Sequence, residues 1–260
     1  MVRVARGDAG RAPRRGGKAT ARPALAFWLE HPSLPACEIA ALCGYEAVIF
    51  DHEHGVIPQA EADRLTLACK RLGLAVYSRV AAPERVAVQH ALDAGVDGVI
   101  LPQIADLAHA RAATAFSKYP PLGSRGVGYS RTMGYGGVAS NFFERENRRI
   151  LCLPMIETPG ALRDAAAIAA LETVDGLFVG PSDLSMTRGR GPFQATGRDL
   201  ADLAKVANAA SAHGKVWALP APGAKVLDFA RRRGAFLVTV ADDLTALRTG
   251  FAQGLAVAKG

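Results

Sequence analysis

Two carboxylates stand at the ends of consecutive apolar runs, where they could hold a divalent cation. The run Leu151–Ile156 ends at Glu157, and the run Gly176–Val179 is followed by Gly-Pro-Ser and then Asp183. The two acids are 26 residues apart, close to the length of one strand–helix repeat. Neighbouring parallel strands of a barrel end at one face, and carboxylate oxygens are ligands that Mg²⁺ and Mn²⁺ prefer. The spacing therefore predicts a metal site formed by Glu157 and Asp183.

A second group of ionisable residues, Asp51-His52-Glu53-His54, follows the apolar run Ala47–Phe50. An imidazole titrates near neutral pH, so His54 is a candidate general base whose ring Asp51 would orient. Alternatively His52 and His54 bind a metal, because their i,i+2 spacing would place both on one face of a continuing strand. A solvated strand end is the third interpretation.

Two arginines could meet an anionic substrate. Arg79 ends the apolar run Ala75–Arg79, where a cation would face the same mouth and could bind a carboxylate or stabilise an enolate oxygen. Arg125 lies in a Gly-rich frame and is either a substrate contact or an anchor for its own loop. The turn 180–182 could bind a carboxylate through its exposed backbone amides.

The elements that must position these residues alternate between short apolar runs and helical patterns. The predicted strands are Ala24–Trp28, Ala47–Phe50, Ala75–Arg79, Gly98–Leu101, Leu151–Ile156, Gly176–Val179, Val216–Leu219 and Phe236–Val240. The predicted helices are Glu38–Leu42, Gln59–Leu72, Pro83–Ala94, Asp106–Ser117, Gly160–Ala170, Asp199–Ala212, Ala224–Arg233 and Asp242–Ala256. Eight strands alternating with eight helices predict a single α/β domain, a (β/α)8 TIM barrel over residues 23–260. A doubly wound sheet would explain the alternation, but less readily the number eight.

Two segments bear on the details of this barrel. Val96-Asp97-Gly98 is echoed by Val174-Asp175-Gly176. The echo indicates either repeated βα units or simply a good helix-to-strand turn. Residues 119–149 form a long Gly-rich insertion ahead of the fifth strand, and such loops are usually functional or mobile. As the loop after the fourth strand, it is expected on the same face as the carboxylates.

The net charge of +7 on 260 residues is concentrated at one end of the chain. Residues 1–22 carry seven basic side chains and one acid, which leaves a net charge of only +1 on the other 238 residues. A Gly-, Arg- and Ala-rich segment buries too little to order itself, so we expect a disordered basic tail over residues 1–22. This tail is a targeting peptide, a nucleic-acid-binding arm or an extension without a role.

Composition also excludes several classes of protein. No apolar run reaches the ~18 residues of a membrane span, so we expect a soluble, cytoplasmic protein with no membrane partner. The cysteines show neither C-x-x-C spacing nor a paired histidine pattern, which disfavours a zinc site and fits a reducing compartment. They are Cys37, Cys43, Cys69 and Cys152.

Taken together and in this order, the motifs resemble the HpcH/HpaI aldolase family from about Pro23 to the C-terminus. The family includes 4-hydroxy-2-oxoheptanedioate and 2-keto-3-deoxy-sugar-acid aldolases. The matching pieces are Phe50–Gly55, Arg79, Leu92–Gly95, Tyr119–Gly128, Ile156–Thr158, Val174–Gly176 and Gly180–Ser185.

The resemblance implies a class II aldolase on a TIM barrel of the phosphoenolpyruvate/pyruvate-binding type. Such a lyase reversibly cleaves a 4-hydroxy-2-oxo acid into pyruvate and an aldehyde. By resemblance, Glu157 and Asp183 would ligate Mg²⁺ or Mn²⁺, with Co²⁺ as a further candidate. The metal would chelate pyruvate, and Ser182 would contact the pyruvate carboxylate through its backbone.

The resemblance also assigns roles to the other charged residues. His54 would be the base, directly or through a water on the metal, with Asp51 beside it. Arg79 would stabilise the enolate, and Asp93 would raise the basicity of the histidine, from a neighbouring subunit. The implied assembly is a homohexamer in which the C-terminal helix is exchanged between subunits.

This chain departs from the family pattern at two positions. The family commonly has Gln two residues before the metal Glu, where it reaches the substrate. Here that substrate-facing position is Met155, which cannot donate a comparable hydrogen bond. His52 stands where the family often has Gly. Both departures leave the pyruvate half of the reaction in place and the identity of the aldehyde open.

Other functions are weighed against the aldolase. An acyl-CoA lyase of the malyl-CoA or citryl-lyase type would need a nucleotide-binding surface, and no basic cluster outside the tail indicates one. A glycosidase could use the same acid pair, but two tryptophans leave little surface for stacking a sugar. A non-catalytic barrel with a nucleic-acid-binding arm has no need of five site residues. Those five are Asp51, His54, Arg79, Glu157 and Asp183.

Overall fold

Eight parallel strands close into a barrel and pair in chain order, with the last strand against the first. The computed structural model describes residues 22–259. The strands are β1 Ala24–Leu29, β2 Ala47–Asp51, β3 Ala75–Arg79, β4 Gly98–Leu101, β5 Leu151–Ile156, β6 Gly176–Val179, β7 Val216–Pro220 and β8 Leu237–Asp242. All eight predicted strands are present, so the predicted (β/α)8 barrel is confirmed. The tail predicted over residues 1–22 lies outside the described residues, apart from Arg22, whose guanidinium pairs with Glu46.

Helices connect the strands on the outside of the barrel. They are α1 Leu34–Leu42, α2 Gln59–Arg71, α3 Arg85–Ala94, α4 Leu107–Ala115, α5 Phe142–Arg149, α6 Pro159–Arg163, α7 Ala165–Ala169, α8 Pro181–Thr187, α9 Gly197–Ala212, α10 Ala224–Arg232 and α11 Asp243–Lys259. The predicted helix Gly160–Ala170 is divided into α6 and α7, and the short helices α5 and α8 were not predicted. Within residues 22–259, no helix combines the length and apolar character needed to cross a bilayer.

The strands read as continuous apolar runs because both of their faces are buried. One set of side chains fills the barrel interior, including Ile49, Tyr77, Leu153 and Phe178. The alternate set packs outward against the helices and forms the larger core cluster. A barrel filled in this way leaves the carboxyl ends of the strands as the place where polar side chains can gather.

The echoed Val-Asp-Gly turns before β4 and β6 form the same hydrogen bond to the preceding strand. Asp97 Oδ2 accepts the backbone N–H of Val76 at 2.9 Å, and Asp175 Oδ2 accepts that of Cys152 at 2.9 Å. In each case the aspartate ties the start of its own strand to the preceding one. Each aspartate also pairs with a lysine, Lys70 for Asp97 and Lys118 for Asp175. The echo is therefore structural as well as sequential.

The insertion 119–149 lies elsewhere than predicted. It follows α4 rather than β4, so it is a helix-to-strand connection, and in a barrel such connections lie opposite the face that carries the carboxylates. Its Arg131 pairs with Asp63 of α2, and a 3-10 helix at Arg131–Gly136 packs against α3. The prediction that this segment shares the carboxylate face is wrong, because α4 stands between it and β4.

Candidate functional site

The register of β2 and β3 brings Asp51 and Arg79 together at the carboxyl end of the barrel. Arg79 Nε donates to Asp51 Oδ1 at 3.0 Å, and Nη2 donates to the other carboxylate oxygen. Arg79 Nη1 lies 3.1 Å from Glu53 Oε2, and the guanidinium carbon is 4.8 Å from the centre of the Trp28 ring. Burial raises the pKa of Asp51, but the Arg79 hydrogen bond and charge outweigh it and hold that pKa below its ordinary value. The guanidinium is thus fixed on three sides.

His54 lies at the rim of the site, with a side chain that is 64% exposed. Its Nε2 lies 3.9 Å from Glu53 Oε2. Asp51 Oδ1 instead accepts the backbone N–H groups of Glu53 and His54, at 3.0 and 3.1 Å. The predicted contact between Asp51 and the His54 ring is therefore corrected: Asp51 fixes the turn and Arg79, whereas Glu53 is the carboxylate near the ring.

His52 does not join His54 in a ligand pair. β2 ends at Asp51, so the continuing strand that would align the two rings is not formed. Burial lowers the pKa of His52, with a smaller opposing effect from a hydrogen bond to the backbone of Ile57. His52 is half-buried in the turn after β2 and is not aligned with His54.

Glu157 is buried at the mouth of the barrel, with only 1% of its surface exposed. Its Oε1 accepts the backbone N–H of Gln103 at 2.5 Å, while its buried Oε2 has no hydrogen-bond partner. Burial raises the pKa of Glu157 to about 7, and the nearby charges of Glu53 and Asp183 act in the same direction. A buried carboxylate oxygen without a partner, with two further acids nearby, fits a divalent cation as its missing counter-charge.

The turn after β6 supplies the second predicted metal ligand. Asp183 is exposed in the first turn of α8, next to Ser182, and is close enough to Glu157 to raise the pKa of that acid. Gly180 is required at the start of this turn, because a Cβ there would lie 2.4 Å from Glu157 Oε2. The structure therefore brings Glu157, Asp183 and the Ser182 backbone to the same edge of the barrel.

Met155 is buried on β5 and directs its terminal methyl group toward Gly180. A Cβ at Gly180 would lie 2.9 Å from Met155 Cε, so the side chain packs beside Glu157. It contributes an apolar wall to the site and no hydrogen bond, as its residue type requires.

Asp93 lies away from His54 within this chain. It is near the C-terminal end of α3, and Arg125 Nη2 donates to its Oδ1 at 3.0 Å. The Arg125 guanidinium is buried, stacks on the Tyr119 ring at 4.5 Å and lies 3.7 Å from Glu146. Arg125 is therefore a loop anchor rather than a substrate contact. A role for Asp93 at the site of a neighbouring subunit stays a prediction.

Three residues at the mouth were given no role from the sequence: Trp28, Glu53 and Gln103. Each lies at or just after the end of a strand, namely β1, β2 and β4. Barrel enzymes draw site residues from those positions, which is the signal that could have identified them. Glu30, Asp242 and Asp243 also cluster at the ends of β1 and β8, but Asp243 is occupied with the backbone N–H groups of residues 30 and 31.

Comparison with known proteins identifies relatives of this chain. Residues 25–249 match the model of the HpcH/HpaI aldolase/citrate lyase family. A hydroxypyruvate/pyruvate aldolase from Sagittula stellata is 36% identical over 64% of this chain and 65% of its own length. A 4-hydroxy-2-oxovalerate aldolase from Novosphingobium aromaticivorans is 33% identical over 64% and 63%, so the chain spans slightly less than two thirds of these two relatives. A 5-keto-4-deoxy-D-glucarate aldolase from Escherichia coli is 34% identical over 82% of this chain and 83% of its own.

A comparison with solved structures shows the same relationship. The crystal structure of an HpcH/HpaI aldolase from Desulfitobacterium hafniense superposes with a TM-score of 0.85. The two chains are 28% identical, and the match covers 92% of this chain and 93% of the other. The barrel and its connections are therefore shared over nearly the whole length of both proteins.

Proposed function

Since the chain belongs to the HpcH/HpaI aldolase/citrate lyase family, we propose that it is a metal-dependent aldolase that reversibly cleaves a 4-hydroxy-2-oxo acid into pyruvate and an aldehyde. The observation that carries this proposal is the buried, unpartnered oxygen of Glu157, close to Asp183 and Glu53 at the carboxyl end of the barrel. The relatives named above are aldolases of keto acids, which supports the same reaction class.

Glu157 and Asp183 are the residues that would hold the divalent cation. Their oxygens are the hard ligands that Mg²⁺ and Mn²⁺ take, and Co²⁺ is a further candidate. When bound, the cation would polarise the keto acid and neutralise negative charge that develops during carbon–carbon cleavage. Gly180 leaves room beside Glu157 Oε2, because a side chain there would collide with it.

Arg79 would stabilise the negative charge on the keto-acid oxygen. The guanidinium is held by Asp51, Glu53 and the Trp28 ring before any substrate arrives, so it need not reorganise during the reaction. The backbone at Ser182 would bind the pyruvate carboxylate at the turn after β6, beside the buried Met155.

His54 would move the proton of the 4-hydroxyl group. Its ring is exposed to the mouth, and its Nε2 faces Glu53 at 3.9 Å. An imidazole at the mouth can reach the substrate hydroxyl and accept its proton there.

We further propose that copies of the chain associate into a homo-oligomer, with a hexamer expected from the resemblance. Helix α11 buries only Asp243, although it carries a row of large apolar side chains at helical spacing. These are Leu244, Leu247, Phe251 and Leu255. A helix with such an exposed face is suited to pack on a second copy. Sedimentation velocity would determine the oligomeric state, and the expected cytoplasmic location stays a prediction.

Pyruvate release tests the proposed reaction directly. The protein would be incubated with 4-hydroxy-2-oxo acids of different chain length, and pyruvate would be followed through lactate dehydrogenase. We expect release with Mg²⁺ or Mn²⁺, none after chelation, and recovery when the metal is returned. Metal-independent release, or an absence of release together with an absence of pyruvate binding, would contradict the proposal.

Metal affinity should depend on pH, because the cation binds the ionised form of Glu157. With a pKa of about 7 for that acid, a proton must leave on binding below pH 7. We expect the apparent Mn²⁺ affinity, measured by calorimetry, to rise about tenfold per pH unit between about pH 5 and 7 and then level off. In Glu157→Gln the affinity should be weak and should lose this slope. A wild-type affinity that is flat over the range would refute the assignment.

A further inference from the structure

Gln103 occupies an uncommon backbone conformation at the mouth of the barrel. It lies two residues beyond β4 and has a φ of 53°, in the left-handed region that non-glycine residues rarely adopt. Its backbone N–H donates to Glu157 Oε1 at 2.5 Å, which fixes the residue against the acid expected to hold the metal. This hydrogen bond ties the Gln103 backbone to the candidate metal site.

The Gln103 side chain places a neutral amide among charged groups. The residue is exposed, and its Nε2 lies 3.5 Å from Glu53 Oε1, the long limit of a hydrogen bond. Glu53 in turn contacts Arg79 and lies near the His54 ring. An amide can both donate and accept, so Gln103 can bind a neutral hydroxyl group in either sense.

The two oxygens of Glu157 divide the site into two sides. Oε1 faces Gln103, and Oε2 faces Gly180 and the turn that carries Asp183. On the proposed function, the keto-acid half of the substrate lies on the side of that turn. Gln103 therefore faces the other half, which leaves as the aldehyde.

We propose that the Gln103 side-chain amide binds a hydroxyl group on the aldehyde half of the substrate, and so makes the enzyme prefer hydroxylated aldehydes. This inference rests on the proposed aldolase function. It assigns Gln103 to specificity and gives it no part in carbon–carbon cleavage itself.

The test compares two substrates that differ by one hydroxyl group, 4,5-dihydroxy-2-oxopentanoate and 4-hydroxy-2-oxopentanoate. Gln103→Met keeps the backbone N–H to Glu157 and removes the amide. We expect kcat/KM for the dihydroxy substrate to fall about tenfold, the size of one lost hydrogen bond, and that for the other substrate to change less than twofold. Pyruvate and Mn²⁺ binding, measured by calorimetry, should be unchanged.

Two further variants sharpen the comparison. Gln59→Met removes an exposed glutamine of α2 that contacts the backbone of His90. It should leave kcat/KM unchanged for both substrates. Gln103→Asn suits the left-handed backbone and shortens the reach of the amide, so it should lose the same preference even if Gln103→Met folds poorly.

The outcomes separate this inference from the function on which it rests. Equal losses for both substrates, no loss for either, or weakened pyruvate binding would overturn the role of Gln103 and leave the aldolase intact. Metal-independent release, or no release together with no pyruvate binding, in the wild-type protein would instead remove the proposed function.

Discussion

Glu157→Gln is expected to abolish pyruvate release while leaving the barrel folded. The amide oxygen can still accept the Gln103 N–H, but the negative charge that would hold the cation is lost. Losing the metal-held charge stabilisation should lower kcat by about 10³-fold or more, which corresponds to about 4 kcal/mol of transition-state stabilisation. Steady-state assays at saturating Mn²⁺ would measure the loss.

The same substitution should stabilise the metal-free protein. The pKa of Glu157 is about 7 in the fold against 4.5 as its ordinary value, so the folded state binds this proton more tightly than the unfolded chain does. The stabilisation from this group is complete below pH 4.5 and is lost as the pH rises through 7. At pH 8 the wild type should therefore be less stable than Glu157→Gln by up to about 3 kcal/mol, and the two should converge near pH 4.5.

A matched control distinguishes an effect specific to Glu157 from the general effect of removing one negative charge. Glu61→Gln removes an exposed acid of α2 that pairs with Arg64, and it should leave both activity and stability nearly unchanged. Activity within tenfold of the wild type in Glu157→Gln, or a lower stability at pH 8 without metal, would contradict the role assigned to this residue.

Lys118→Met is expected to lower the free energy of unfolding more than any other proposed substitution. The Lys118 side chain is 0% exposed, and its Nζ donates to Asp175 Oδ2 at 2.6 Å and to the backbone oxygens of Asn147 and Ile150 at 2.9 and 2.6 Å. Removing the ammonium group leaves the buried Asp175 charge without this partner, which typically costs 3–5 kcal/mol. Urea unfolding would measure a lower free energy of unfolding, by about 4 kcal/mol, with the m-value unchanged.

The echoed turn supplies the control for this substitution. Lys70 forms the equivalent contact with Asp97 at 2.8 Å, but its side chain is 36% exposed. Because water screens that pair, Lys70→Met should cost less than about 1 kcal/mol. Similar losses in the two variants would show that burial does not set the strength of the contact.

The sequence predicted most of the candidate site residues, because the carboxyl end of a strand can be recognised as an apolar run that stops at a charged residue. Arg79, Glu157 and Asp183 were placed at the mouth in this way, and the barrel brings them there. His54 was also found, but its partner was not, because a turn after Asp51 exchanges the expected ring contact for one with Glu53. A local pattern does not specify which carboxylate a turn directs toward a ring.

The prediction for the insertion 119–149 was wrong for a different reason. Its length and glycine content were read correctly, but its face depends on whether it follows a strand or a helix, and α4 reverses the direction of the chain before it begins. The role of Arg125 was left open because its contacts depend on tertiary packing. Only the packing of α3 against the segment shows that Asp93 and Tyr119 enclose the guanidinium.

By itself the sequence determined the eight-fold strand–helix alternation, the family motifs and the acids that follow β5 and β6. These follow from periodicity and spacing, which are local properties of the chain. Only the tertiary structure decided that Glu157 has a buried oxygen without a partner, that Gln103 lies on its other side, and that α11 exposes its apolar face. Each of these features depends on burial and on contacts between residues far apart in the chain. Both the burial and the contacts form only when the barrel closes.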